Sequence, residues 1–485
     1  MRNDDRSMKP TLGQAASLGQ LDERHLVRPR ITPPLDPAFR PAALAAARFF
    51  ERVGESPSGR PVWLAVEQPG GTVSHHTCWA VEEGPDAASS ARFVERDLKF
   101  LLWSRGGSRV YVDGPATLVA ALTRHFAADP AGAFDAGTMG PTIYGAPFEV
   151  VAAPHSEFPG ESAASLELGG HLDGCRIGFD LGASDRKVAA VVDGEVRFSE
   201  ETGWDPRHQA DPEWHFQRIN ESLRRAAAHL PRVDAIGGSS AGVFVDSEPR
   251  VASLFRAVPR DLFETRVRGL FRELQQAWGD VPFVVVNDGD VTALAGAMSA
   301  GVGALLGIAM GSSEAGGYIT SDGRLTSWLN ELAFAPIDLS AGAPRDEWSG
   351  DSGVGAQYFS QQAVARLLPA AGIAVPNDMD QPSRLLELQR LMAAGDARAQ
   401  SVYATIGAYL GYGLMQYSRF YRVEHLLLLG RVMTGSGGEV IRETAERVLE
   451  VEQDPSSVHI TFLTASERDK RHGQAVAAAS LPRLR

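Results

Sequence analysis

The chain has 485 residues, of which 44% are apolar and 22% charged, and its formal net charge is −13. That length calls for two to four domains, and that composition excludes global disorder. The acidic balance argues against nucleic acid as the main partner, because phosphate binding needs clustered Lys and Arg.

The two cysteines, Cys78 and Cys175, lie far apart and show no CxxC spacing, so neither a disulfide framework nor a cysteine zinc site is expected. The opening residues lack the apolar stretch of a secretory leader, and no apolar run is long enough to span a bilayer. A reducing cytoplasm is therefore the expected compartment and a membrane is not an expected partner.

Residues 1–35 are polar and end in a Pro-rich run, which predicts a disordered tail. PAALAAARFFERVG then reads as an amphipathic helix. PVWLAVEQ and SHHTCWAV read as paired strands around Pro69–Gly71. SARFVERDLKFLLWSR has helical spacing, with Gly106 and Gly107 as a stop. Its Arg92, Arg96 and Lys99 alternate with Glu95 and Asp97, which reads as a solvated helix face. SRVYVDG and PATLVAALTRHFAA complete an α/β texture, and the Ser-, Gly- and Pro-rich stretch 156–170 reads as a linker.

A second unit starts near Cys175. IGFDLGASDRKVAAVVDGEVRFSE predicts a β-meander whose first turn carries Asp180, Gly182 and Ser184. A glycine there lets backbone amides approach a polyanion, and a carboxylate such as Asp180 suits hydrated Mg²⁺. Taken alone, the same residues make an ordinary tight hairpin. A second apolar hairpin carries Gly311, Ser312, Gly316 and Gly317, and a strand opening into a helix carries Gly430, Gly435, Gly437 and Gly438. The buried strand VPFVVV ends at Asn287-Asp288-Gly289-Asp290, with a helical pattern behind it. A strand-end carboxylate lies where α/β sheets place ligands, and Asp288 there can accept a proton from an attacking hydroxyl. Asp290 reads as the helix cap. Helical patterns over 358–368 and 397–421 follow.

In their order and spacing these motifs resemble the actin-like ATPase superfamily, and within it the ROK family of sugar kinases and repressors, over about 310 residues. The resemblance implies a two-lobed, ribonuclease-H-like α/β core behind an N-terminal α/β accessory domain. The implied boundaries are 36–170 for the accessory domain and linker, 171–292 for lobe I and 293–485 for lobe II, with the last helix returning to lobe I. It implies ATP and Mg²⁺ as cofactors, with Asp180, Gly182, Ser184, Gly311, Ser312, Gly316 and Gly317 at the phosphates, Gly430, Gly435, Gly437 and Gly438 at the adenosine, and Asp288 as general base. Asn287, Glu331 and the Gly238–Gly242 loop match sugar-side positions, Gly242 among them.

Departures bear on the substrate. Phe334 stands where the family has a histidine, and the segment that matches the family's zinc motif, Glu347–Val354, has no cysteine, so zinc is not expected. Asp346, Glu347, Trp348 and Asp351 in that stretch are read as an altered sugar pocket. The implied function is phosphorylation of a sugar or sugar-derivative hydroxyl. The alternative is a sugar-responsive regulator or an inactive sugar-binding homologue. A homo-oligomer stays open.

Overall fold

Among the described residues three sheets of four or five strands organise the chain. The first pairs β1 (Gly59–Glu67), β2 (Val73–Val81), β3 (Arg109–Asp113) and β4 (Glu149–Ala152) in the order β2-β1-β3-β4. Alternation along β1 turns Val62, Leu64 and Val66 inward, where they meet Phe49 of α1 (Ala42–Gly54), Phe93 and Leu98 of α2 (Ala87–Arg105), and Leu118 and Leu122 of α3 (Ala116–Ala128). The short helix α4 (Pro130–Gly137) and a π-helical turn, Thr138–Tyr144, follow. The computed structural model describes residue 18 and residues 21–162, 166, 168–452, 459–463 and 473–484.

The second sheet belongs to lobe I. It orders β11 (Phe283–Asn287), β8 (Ala235–Ser240), β5 (Cys175–Leu181), β6 (Asp185–Val192) and β7 (Glu195–Gly203) as β11-β8-β5-β6-β7. The β5–β7 meander is antiparallel, and β8 and β11 add in parallel. A small hairpin of β9 (Val243–Val245) and β10 (Glu248–Val251) projects from the end of β8. α5 (Pro212–Ala227), a single turn α6 (Arg260–Leu262) and α7 (Leu270–Ala277) lie beyond these strands, and α5 and α7 close the core around Phe179, Leu223, Phe271 and Leu274.

α8 (Asp288–Ala300) leads from lobe I into lobe II, whose sheet runs β13 (Glu314–Ile319), β12 (Leu305–Met310), β14 (His425–Leu429) and β15 (Thr461–Leu463). Its helical side holds α9 (Gln361–Ala370), α10 (Gln381–Ala393), α11 (Ala397–Tyr417) and α12 (Ser436–Glu452) around a core rich in tyrosine, including Tyr403, Tyr409 and Tyr412. α13 (Gln474–Ala479) returns to lobe I and lies across β5 and β8. The approach is so close that a Cβ on Gly178 would come 1.7 Å from Ala475 O, and one on Gly237 would come 1.7 Å from Ala478 O. Glycine at these two positions is a packing requirement.

Two expectations are corrected here. Residues 21–35, read as part of a disordered tail, are packed on the rest of the chain: Leu21 and His25 lie against the N-terminal core, His25 beside Phe49 and Phe93, and residues 30–35 lie against lobe II. The Ile31 and Leu35 amides donate to Tyr412 Oη and Thr405 Oγ1, both at 3.1 Å, and Arg30 Nη1 donates to Val451 O at 2.9 Å. A Pro-rich extended segment cannot pair its own amides, and buried hydroxyls from α11 satisfy them instead. The remainder of that tail falls outside the described residues, apart from residue 18. The second correction concerns α2. Glu95, Arg96, Asp97 and Lys99 are all buried, the side expected to meet water being enclosed by His125 of α3, Asp135 of α4 and, from lobe II, Asp351 and Arg419.

Among the described residues no helix is long and apolar enough to cross a membrane.

Candidate functional site

The end of β11 and the start of α8 set the geometry. Asn287 Oδ1 accepts the Gly289 amide at 2.6 Å, so Asn287 is the helix cap. Asp290, expected to be that cap, is instead buried within the first turn and accepts from Asn330 Nδ2 at 2.9 Å. The difference arises because a cap must precede the first helical residue, and α8 already begins at Asp288. The other end of Asn287 is also engaged: Nδ2 donates to Gly242 O at 2.7 Å, which ties the sugar-side loop to the strand end.

Asp288 stands beside these residues with its carboxyl raised to about 6, by burial first and by the negative charge of Asp180 second. Asp180 comes from the end of β5. Its Oδ1 accepts from Ser239 Oγ at 2.7 Å, and Lys187 Nζ lies 3.7 Å from its Oδ2. Burial raises its carboxyl as well, against the opposing pull of Ser239 and Lys187. Glu331 faces the same point from lobe II, raised to about 7 by burial and then by Asp288. Asp180, Asp288 and Glu331 therefore form one electrostatically coupled constellation between the lobes.

Two further acids extend it. Asp290 is raised to about 8 by burial, and Glu314 to about 8 by burial, against the hydrogen bond from Tyr417 Oη at 2.7 Å. Among the described residues Glu314 Oε2 has no hydrogen-bond partner. Glu314 lies in the second hairpin, and its signal in the sequence is a carboxylate where an apolar strand begins.

Among the glycines of the three turns, several answer to packing. α8 crosses β13 so closely that a Cβ on Gly317 would sit 2.2 Å from Gly289 O, and one on Gly289 would sit 2.2 Å from Gly316 O. Gly437 likewise abuts the Tyr403 ring, and Gly438 abuts Met433 O. Gly311 and the exposed Ser312 form the tip of the β12–β13 hairpin. Gly430, at φ 95°, ends β14 against Met310, and Gly435, at φ 76°, faces open space just before α12. In the first hairpin the Gly182 carbonyl accepts from Trp204 Nε1 at 2.8 Å, and Ser184 Oγ donates to Asp185 Oδ2 at 3.0 Å.

Asp351 is not part of this site. It accepts from Arg96 Nη1 at 2.7 Å and lies 3.1 Å from Lys99 Nζ, both on α2. Burial pushes its carboxyl up, but Arg96 and Lys99 outweigh that and hold it well below the usual carboxylate range. The altered pocket expected from Asp346, Glu347, Trp348 and Asp351 is thus corrected. Asp346 ties down its own loop by accepting from the Trp348 and Ser349 amides, and Trp348 is 71% exposed. The loop docks the N-terminal domain, which supplies the opposite charges. Phe334 points the same way: its ring centroid lies 4.2 Å from that of Trp103.

Among the described residues no group of three or more His, Cys, Asp or Glu is placed to hold a metal ion. Asp180 offers one hard carboxylate, which matches a hydrated Mg²⁺ completed by phosphate oxygens and water.

No family model matches the chain, and no curated protein matches it. Solved structures do. A ROK family transcriptional regulator, a homologue of the E. coli MLC protein, is 20% identical with a TM-score of 0.52, over 64% of this chain and 78% of that one. A ROK hexokinase from Thermus thermophilus is 20% identical with a TM-score of 0.49, over 63% of this chain and 96% of the other. A ROK family glucokinase from Streptomyces griseus, in complex with glucose and AMPPNP, is 19% identical with a TM-score of 0.47, over 63% and 98%. At such identities the likeness is one of fold, and on the first of these matches the protein carries the two-lobed, actin-like fold of the ROK proteins, with a further α/β domain at its N-terminal side.

Proposed function

We propose that the protein is an ATP- and Mg²⁺-dependent kinase of a sugar or sugar-derivative hydroxyl. The observation that carries the reading is Asp288: a half-buried carboxyl at a strand end, between Asp180 and Glu331, raised to about 6 by desolvation and by the charge of Asp180. A group titrating there is ionised at neutral pH and still basic enough to take a proton. In this reading Asp288 accepts the proton of the acceptor hydroxyl as its oxygen bonds to the γ-phosphorus, and the bond from that phosphorus to the ADP oxygen breaks. Asp180 would hold hydrated Mg²⁺, whose contribution is to neutralise the phosphate charge. The hairpin tips at Gly182–Ser184 and Gly311–Ser312 would hold the phosphates, and the Gly430–Gly435 turn the adenosine. Asn287 would position the acceptor through the Gly242 loop it already braces, and Glu331 would accept a sugar hydroxyl proton in a hydrogen bond.

The test is a panel of sugars incubated with ATP and Mg²⁺ while ADP release is measured. Release that depends on one sugar class supports the reading, and none above the sugar-free rate across the panel overturns it.

A second reading, a sugar-responsive regulator, is favoured by one observation: the neighbour with a TM-score of 0.52 is described as a transcriptional regulator. The N-terminal sheet and the net charge of −13 weigh against DNA as its partner.

A further inference from the structure

The N-terminal domain meets the two lobes in unequal ways. Against lobe II the contact is built like a domain interior. The carbonyls of Trp103, Ser104 and Arg105, left free at the end of α2, accept the amides of Glu331, Asn330 and Leu329 at 3.0, 3.0 and 3.3 Å. The Arg105 guanidinium lies 3.5 Å from the Trp328 ring centroid and 4.4 Å from that of Tyr421. Asp97 holds Arg419 at 2.6 Å, and the rings of Phe100 and Phe420 stack at 4.1 Å. With the Arg96–Asp351 and Lys99–Asp351 pairs, these bonds could part only by exposing buried charge.

Against lobe I the contact is small and apolar. The β9–β10 hairpin rests on the π-helical turn Thr138–Tyr144, with Val243, Val245 and Val251 joining the N-terminal core beside Met139 and Ile143. Arg268 Nη2 adds a long bond to Thr142 O at 3.4 Å. This hairpin springs from Gly242, whose carbonyl is bonded to Asn287 next to Asp288. One end of the domain therefore carries the backbone of Glu331, and the other touches the loop that braces Asn287.

We propose that the N-terminal domain is a latch across the cleft, riding with lobe II and seated on the β9–β10 hairpin of lobe I when the site is closed. Opening the cleft parts the valine contact and leaves the α2 contacts whole. A few valines release far more easily than a buried ion network, so the break falls at the hairpin. The inference stands on packing alone and holds whether or not Asp288 is a catalyst.

The test is hydrogen–deuterium exchange and small-angle scattering on the full chain carrying Val251→Asp, a partly buried position on the hairpin. Exchange at 138–144 and 243–251 should rise together by about ten-fold or more, with the radius of gyration enlarged and 329–331 still protected. Unchanged exchange at 138–144, or loosening of 329–331 in step with it, would overturn the latch. Should that variant fail to fold, Val245→Ser and the wild type in sub-denaturing urea give the same reading. The 138–144 and 243–251 segments must then open before 329–331, and simultaneous opening refutes the proposal.

Discussion

A carboxyl that titrates at about 6 makes a sharp demand on kinetics. If Asp288 is the base, its ionised form carries the activity, so turnover at saturating ATP should fall about ten-fold for each pH unit below 6 and level off above it. A flat profile between pH 5 and 7 would count against the assignment. Asp288→Asn keeps the shape and removes the basicity. Turnover should drop by roughly 10²–10⁴, with nucleotide affinity little changed, as isothermal titration would show. Glu314 makes a different demand. Its carboxyl holds a proton to about pH 8 in the folded chain and loses it near 4.5 once unfolded. The folded state is therefore favoured fully below 4.5, and that advantage fades as pH rises to about 8. Glu314→Gln lacks this titration while preserving the Tyr417 bond as amide oxygen. Urea unfolding at pH 5 and pH 8 should show the variant gaining on the wild type as pH rises, and an equal gap at both values would contradict it.

At the level of elements, α2 shows why sequence patterns misled. Charges of alternating sign look the same whether water or distant counter-charges face them. For α2 the partners are Asp135, Asp351 and Arg419, and the last two arrive from lobe II. By contrast the strand pair β1–β2, the β5–β7 meander and the β12–β13 hairpin were legible, because alternation and turn glycines are local signals. Asp351 was misplaced for the same reason as α2: its partners are far away in the chain. Its repositioning is measurable. Asp351→Asn leaves Arg96 and Lys99 short of a buried counter-charge and should cost about 3–5 kcal/mol in denaturant unfolding. The Michaelis constant for any acceptor should stay within about two-fold of wild type. A large rise in that constant at unchanged stability would return Asp351 to the site.

Across the whole molecule, the glycine turns and the strand-end Asp288 were readable because each follows an apolar strand, while the distances that bring them together are set by long-range packing that local pattern does not carry. Asp180, Asp288 and Glu331 meet only after two sheets and α8 are in place. The protein's charge also makes a prediction about partners. With −13 overall and the cations of α2 neutralised in its interior, duplex DNA should bind no tighter than about 10⁻⁵ M at physiological salt. Sub-micromolar, sugar-released binding to labelled duplex would instead establish a regulator. The fit of α13 onto Gly178 and Gly237 bears on how such a chain is born. Lobe I begins at β5, yet one face of its sheet is finished by residues translated after the strands of lobe II, and Nη1 of the fully buried Arg176 donates to Ala479 O and Pro482 O. During synthesis that face waits, uncovered and apolar, while the later half emerges from the ribosome. The first lobe to be made is thus the last to be completed.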